Sequence, residues 1–294
     1  TYDRCMPEGD TLRRLAERIN ERFAGTVVDR AEMRDPRLVG VEVVGRTLVE
    51  ADAYGKHLFI RFDDQRSLHA HLLMTGSFCV GRTSREPEWK RRAELWLSDG
   101  RLTAESVPVL GMLPTAEEHT ITDPLGPDLC GRAGPPNPEE IVERLMSAPA
   151  EPLAEALLDQ HHVAGFGNIY VNDVPFIAGV NPEQPVGSVD GLEQLVAIGI
   201  ALIRTNAERG PQNTTGRRLA TDARWVHGVG RGRCPVCGAG LQHLSREQSE
   251  WGRSITWCPD CQPKRERGVV DLRRASRLIG LHPAVKQSVV PRQI

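Results

Sequence analysis

Leu12, Leu15, Ile19 and Phe23 fall at helical spacing, with Asp10 or Thr11 placed to cap that helix and Gly25 to stop it. From Thr26 to about Leu113 the period shortens. Runs such as TVVDRAEM, VEVVGRTLVEA, KHLFIRF, SLHAHLLM, RAELWLSD and RLTAESV are β-rich and separated by Gly, Asp and Pro, the pattern of an antiparallel sandwich or barrel. Residues 114–136, PTAEEHTITDPLGPDLCGRAGPP, are rich in Pro, Gly and acidic side chains and read as a linker. Helical spacing then returns. NPEEIVERLM carries Asn137 as cap, Pro138 in the first turn and Glu140 closing a capping box. PLAEALLDQ makes a second helix, and DGLEQLVAIGIALIRTNAERG a third, boxed by Asp190 and Glu193. A cysteine-bearing module spans 231–262, and 263–294 is a basic tail with no clear core of its own. No internal repeat is present.

The bulk numbers fit this division. A length of 294 residues corresponds to about two domains at the usual ~150 residues each, and 39% hydrophobic with 26% charged residues is an ordinary globular composition. No run of 18 apolar residues exists, and the first thirty residues lack the apolar core of a signal peptide, so a cytoplasmic protein with no membrane partner is expected. The net charge of −2 conceals an asymmetry: residues 201–294 hold 17 Lys+Arg against 7 Asp+Glu. A basic C-terminal third suits a polyanion partner, and on charge alone a solvated surface fits equally well. Nothing in the pattern signals a dimer, so a monomer is expected.

Four of the seven cysteines change the picture more. Cys234-x2-Cys237 and Cys258-x2-Cys261 stand twenty residues apart, two knuckles that place four thiolates for one tetrahedral Zn²⁺. The intervening segment can form a β-hairpin, with Arg253 near its tip. A redox role for either CxxC is the alternative. Four protein ligands close the site, so the expected role of the metal is structural. Cys5, Cys79 and Cys130 are scattered and read as small buried hydrophobes.

In LLDQHHVAGFGNIYVNDVPF a helix, a glycine-rich turn and a second helix follow one another, with Asn168 opening the second helix after Gly165 and Gly167. Backbone N–H groups at a helix start suit an anion such as a phosphodiester, although a lone GxG before a helix is more often a plain connection.

LLDQ and VAGFGNIY followed by a four-cysteine ribbon resemble the formamidopyrimidine-DNA glycosylase / endonuclease VIII family of base-excision enzymes. The resemblance runs over roughly residues 6 to 262 and includes MPEGDT, GKHLFIRF around Lys56, HLLMTGSF around Met74, LGPDL at 125–129 and GRSITWCPDCQ. It implies an α+β multidomain fold. An N-terminal β-sandwich with flanking helices (7–113) would be followed by a helix–two-turn–helix domain (137–230) and a zinc ribbon (231–262) holding one structural Zn²⁺. It implies a DNA-repair glycosylase with AP lyase activity on damaged duplex or single-stranded DNA, nucleoid-associated in a bacterial cell. In this implied scheme Pro7 is the amine nucleophile and Glu8 the general acid/base. Lys56 is the acid/base of β-elimination and holds a phosphate. Arg253 contacts phosphate and assists δ-elimination, Asn168 grips the DNA, and Met74 fills the gap left by an extruded nucleotide.

Several departures qualify the resemblance. ESVPVLGML at 105–113 stands where the 8-oxoguanine branch has DPRRFG, which makes the chain look more like endonuclease VIII of actinobacterial type, with oxidised pyrimidines as main substrates. Asp173, Val174 and Pro175 follow GNIY where the family usually has Glu and an apolar pair, and His227 replaces a more usual Tyr. Residues 1–6 precede Pro7 as an N-terminal extension. With that extension attached, the Pro7 nitrogen is a tertiary amide and no nucleophile. A family member that binds lesion or unusual DNA without cleaving it is therefore the alternative reading.

Overall fold

The computed structural model describes residues 7–98, 100–217, 223–248 and 252–280, and the N-terminal extension 1–6 lies outside them. The chain divides into two compact units, 1–124 and 125–294.

In the first unit α1 (Gly9–Phe23) buries Leu12, Leu15, Ala16, Ile19 and Phe23, the stripe its spacing predicts. Eight strands follow: β1 (Thr26–Met33), β2 (Thr47–Tyr54), β3 (His57–Phe62), β4 (Arg66–His71), β5 (Ser77–Val80), β6 (Arg91–Leu97), β7 (Gly100–Glu105) and β8 (Val109–Pro114). Their order is β5-β7-β6-β1-β2-β3-β4-β8, all neighbours antiparallel. β1 is the hinge of this arrangement. Its first residues pair with β2, its later ones with β6, and the register shifts between Val28 and Arg30. A bulge bends a strand and lets one sheet fold into two layers. The two layers and α1 share a single apolar core that includes Val28, Leu48, Leu58, Ile60, Leu68, Leu95, Leu102 and Leu110. The β-sandwich with flanking helix read from the sequence is the fold observed.

The stretch 114–136 is anchored at both ends. Glu118, just ahead of the short α2 (His119–Thr122), accepts hydrogen bonds from Arg61 Nε (2.9 Å) and Ser67 Oγ (2.5 Å), tying it to β3 and β4. Beyond Pro124, Gly126 N donates to the Gln160 carbonyl (2.8 Å) and Leu129 N to that of Ala164 (3.0 Å), within the second unit.

That unit contains α3 (Pro138–Leu145), α4 (Leu153–Leu158), α5 (Asn168–Ala178), β9 (Val189–Asp190) and α6 (Leu192–Arg209), then a hairpin of β10 (Gln242–Leu244) and β11 (Ile255–Trp257). α5 is buried along its whole length. Gly199 lets α6 press on the loop before α5, since a Cβ there would lie 2.3 Å from Phe166 Cζ. Pro175 sits inside α5, where it removes the hydrogen bond to the Val171 carbonyl, and the helix still runs on to Ala178. The described part of the basic tail has structure. β12 (Gly268–Val269) pairs in parallel with β9, and α7 (Leu272–Ile279) packs on α5. Arg274 of α7 is buried, its Nε donating to the Phe176 carbonyl (3.0 Å) and its guanidinium 4.7 Å from the Phe176 ring. No described helix is long and apolar enough to cross a membrane.

Candidate functional site

Pro7 and Glu8 form the head of α1. Glu8 takes an extended conformation, and its carbonyl accepts from Thr11 N (2.9 Å) and Leu12 N (3.1 Å), closing the first turn. Its carboxyl makes no capping bond to the helix and is buried, 1% exposed. The position of this head follows from two polar residues farther along α1. Asn20 exchanges hydrogen bonds with Ala51 (2.8 and 2.6 Å), and Arg13 reaches Asp52 (2.7 Å) and the Ala53 carbonyl (2.7 Å). Contacts that climb β2 while descending α1 mean the two run antiparallel. The N-terminus of α1 is thereby directed to the end of β2 that carries the Gly55–Lys56 turn.

Gly55 and Lys56 form the two-residue loop between paired Tyr54 and His57, with Gly55 at φ +54° in the first central position, as a tight hairpin turn requires. The loop after β4 opens at the same end, because His71 pairs with His57. In it Leu73 is held at φ +46°, an uncommon conformation for a side chain of this size. Leu73 and Met74 are exposed by 46% and 42%, although both are apolar. Leu73 N donates to His71 Nδ1 (3.2 Å), and Gly76 N to the Leu72 carbonyl (2.8 Å).

Three imidazoles adjoin Lys56. His57 Nδ1 lies 2.9 Å from His69 Nε2, and the rings of His57 and His71 meet edge to face at 4.7 Å. Burial pushes all three down to about 4 from an ordinary 6.5. His69 adds its charge against His57, His71 against His69, and His57 against His71. Lys56 adds to this effect at His57 and His71. All three rings are neutral at neutral pH.

In the second unit Gln160 orders the glycine-rich loop. Its side-chain amide donates to the Leu158 and Phe166 carbonyls (2.7 and 3.0 Å), and its Oε1 accepts from Gly165 N (3.0 Å). The loop delivers Asn168 to the start of α5, buried, with its Nδ2 3.4 Å from Ser254 Oγ. Asn172, one turn on, bonds the Asn168 carbonyl (2.7 Å), and its Oδ1 accepts from Thr256 N (2.6 Å). Two asparagines of α5 thus clamp β11 and bring Arg253, the neighbour of Ser254, to the same end of α5 as Asn168.

Asp173 braces the other side of α5. Its fully buried carboxylate accepts from Val226 N (2.9 Å) and His227 N (3.1 Å) at one oxygen, and from Trp225 N (3.0 Å) and Thr214 Oγ1 at the other.

Cys234, Cys237, Cys258 and Cys261 converge with all four sulfurs within 4.8 Å of one another. Cys234 and Cys261 are 3.8 Å apart and Cys237 and Cys258 3.4 Å. A Zn–S bond of about 2.3 Å places tetrahedral sulfurs at about 3.8 Å, so the four fit one metal ion. Burial pushes the Cys258 thiol up to about 11 and the Cys261 thiol higher still, while the Ala239 backbone N–H lowers Cys237. A bound cation would supply the charge that four clustered thiolates need. Among the described residues no other group of His, Cys, Asp and Glu is so arranged.

Comparison with known proteins bears directly on this arrangement. Residues 6–106 match the formamidopyrimidine-DNA glycosylase N-terminal domain and residues 125–206 the helix–two-turn–helix domain of the same family. The chain belongs to the formamidopyrimidine-DNA glycosylase family. Among its relatives in that family is the probable endonuclease 8 2 of Streptomyces coelicolor, 36% identical over 263 residues, 87% of this chain and 94% of that protein. The DNA-(apurinic or apyrimidinic site) lyase Nei2 of Mycolicibacterium smegmatis is 33% identical, over 87% of this chain and 99% of that protein. The Lactococcus lactis glycosylase bound to DNA with an abasic site superposes with a TM-score of 0.73 at 22% identity, covering 87% of this chain and all of that one. That likeness is one of fold.

Within this family member, Pro7, Glu8, Lys56 and Met74 come from the first unit, and Asn168, Arg253 and the four cysteines from the second. His57, His69, His71 and Leu73 did not stand out in the sequence. The signal for the histidines was their alternation, which puts 57, 69 and 71 on one face of paired strands. For Leu73 nothing local betrays the backbone conformation.

Proposed function

We propose that the chain is a bifunctional DNA glycosylase and DNA-(apurinic or apyrimidinic site) lyase of base-excision repair, acting on oxidised bases, chiefly pyrimidines, in damaged duplex or single-stranded DNA. The observation that carries this reading is the gathering at one end of the first unit. Pro7 precedes Glu8, which is buried, and the Lys56 turn and an exposed apolar loop open at the same end.

In this mechanism the Pro7 nitrogen attacks C1′ as the glycosidic bond breaks, and the base leaves with the electron pair and takes up a proton. Glu8 protonates the ring oxygen as the sugar opens, giving an iminium cation between Pro7 and C1′. That cation acidifies the 2′ protons. Lys56 assists removal of one of them, the C3′–O bond breaks, and the 3′ phosphate departs. Arg253 and Asn168 hold phosphates, and Arg253 assists loss of the second phosphate at C5′. Leu73 and Met74 fill the space of the extruded nucleotide at little desolvation cost, both being apolar and already exposed. Cys234, Cys237, Cys258 and Cys261 would hold a zinc ion, which would fix the hairpin in which Arg253 precedes β11.

This chemistry requires the Pro7 nitrogen to be a secondary amine, so the form proposed to act is the one whose chain begins at Pro7. Borohydride added while Pro7-terminated protein turns over abasic-site DNA reduces the iminium to a stable adduct. The same protein with residues 1–6 retained forms none. Absence of adduct with the Pro7-terminated form would favour the member that binds lesions without cleaving them.

A further inference from the structure

The face of β3 and β4 turned away from the sandwich core carries more chemistry than the reaction above uses. Directly paired residues share a face, so His57 and His71, Phe59 and His69, and Arg61 and Ser67 lie in three successive rungs. The His69 ring stacks on Phe59 at 5.1 Å and on His57 at 5.2 Å. His57 in turn meets His71 edge to face. Because neutral His71 accepts the Leu73 N–H at Nδ1, its own proton is on Nε2.

The charged groups on this face come from several elements. Lys56 lies in the turn. From β2 come Tyr54 opposite His57, Asp52 opposite Phe59 and Glu50 opposite Arg61. Asp52 is bound by Arg13 of α1 at 2.7 Å and lies 3.8 Å from Arg61, which is itself held by Glu118. β8 adds only Val109, Gly111 and Leu113 opposite His71, His69 and Ser67, none of which titrates. The carboxylates are thus engaged by arginines, and beyond burial and the neighbouring imidazoles it is Lys56 that adds its charge at His57 and His71.

We propose that His57 and His69 are positioning residues: joined by a hydrogen bond and packed between Phe59 and His71, they hold His71 in its Nε2–H tautomer beside Lys56 and so fix the Leu73–Met74 loop. A second proton on His71 would remove the acceptor for Leu73 N–H, the bond that helps hold Leu73 at positive φ, and would set two cations side by side. The stacked pair prevents this by excluding water from the cluster. The inference rests on the proposed roles of Lys56 and Met74, but its first readout is independent of turnover.

The test uses Pro7-terminated protein and its His69→Ala variant, with His71 side-chain and Leu73 amide resonances followed by NMR from pH 8 to pH 4.5. In the parent His71 stays neutral and the Leu73 amide unshifted down to about pH 5. In His69→Ala the entry of water returns His71 to near its ordinary value of about 6.5, and the Leu73 amide titrates with it. Cleavage of abasic-site DNA supplies the second readout. The variant-to-parent ratio of kcat/KM falls about fourfold from pH 8 to pH 6, the fraction of His71 that a return to about 6.5 protonates. His69→Gln fills the ring's space without titrating and restores the parental His71 behaviour; it also serves if the alanine variant fails to fold. The proposal is overturned if His71 titrates near 6.5 in the parent, or if His69→Ala leaves both the Leu73 amide and the ratio independent of pH. Failure of borohydride trapping with His71 still held neutral would instead count against the Pro7 chemistry alone.

Discussion

Asp173 shows how much a single side chain carries here. Four donors converge on its carboxylate, three of them backbone N–H groups of residues 225–227. Asp173→Asn exchanges one oxygen for a donor and leaves two of the four without an acceptor. Hydrogen bonds to a buried charge are worth about 1.5–3 kcal/mol each, so a loss of about 3–5 kcal/mol is expected in urea unfolding. A change under about 1 kcal/mol would contradict this account. In the sequence Asp173 looked like a departure from the family's usual Glu. Its role was illegible because the groups it binds lie forty to fifty residues downstream. The three histidines set a pH dependence of a definite sign. They are held neutral to about 4, whereas an unfolded histidine protonates near 6.5. Their neutral packing therefore contributes full stability above about pH 6.5, and it is lost as pH falls from there toward 4. The urea midpoint of the parent should drop between pH 7.5 and pH 5. A His57→Phe/His69→Gln variant should drop less, and equal slopes would show that other groups are responsible.

Elements were legible where one periodicity dominated. The α1 stripe, the capped α3 and strands β1, β3, β6 and β7 appear where the pattern puts them, since each buries one face locally; β2 starts only at Thr47, and β5 and β8 were not among the runs. Composition is silent where tertiary contacts decide. The Pro- and acid-rich stretch 114–136 holds Glu118 against Arg61 and Ser67, contacts fifty residues apart that no local pattern encodes. The described part of the tail, too short to form a core alone, packs on α5 through Arg274 and Phe176. The cysteine hairpin was the most legible element, because its spacing is itself the geometry. Its strands are three residues long, the two asparagines of α5 bond to it at Ser254 and Thr256, and a metal on the four cysteines would add to that hold. Removing the ion with a strong chelator should lower the melting temperature of the second unit. It should also weaken DNA binding, through loss of Arg253's position, while the far-ultraviolet signal of the β-sandwich persists. Metal analysis should return one zinc per chain. Unchanged melting and binding after the zinc is gone would refute its structural role.

At the scale of the whole molecule, two compact units divide the work. In the proposed mechanism the first supplies the nucleophile, its acid/base partner and the apolar loop, and the second the phosphate contacts and the four-cysteine hairpin. The charge asymmetry seen in composition matches this division, since the basic third falls within the second unit. Family membership follows from the sequence as a whole, and the proposed Pro7 chemistry depends on one bond, the peptide between Met6 and Pro7. As an amide, the Pro7 nitrogen has its lone pair delocalised; as a free secondary amine, it is the strongest nucleophile at the head of α1. The most direct test is borohydride trapping of Pro7-terminated protein on abasic-site DNA, with the adduct mapped by peptide mass spectrometry. The account predicts a reduced sugar adduct on the N-terminal peptide, at Pro7. An adduct confined to Lys56 or another lysine, or no adduct while the strand is still cut, would contradict it.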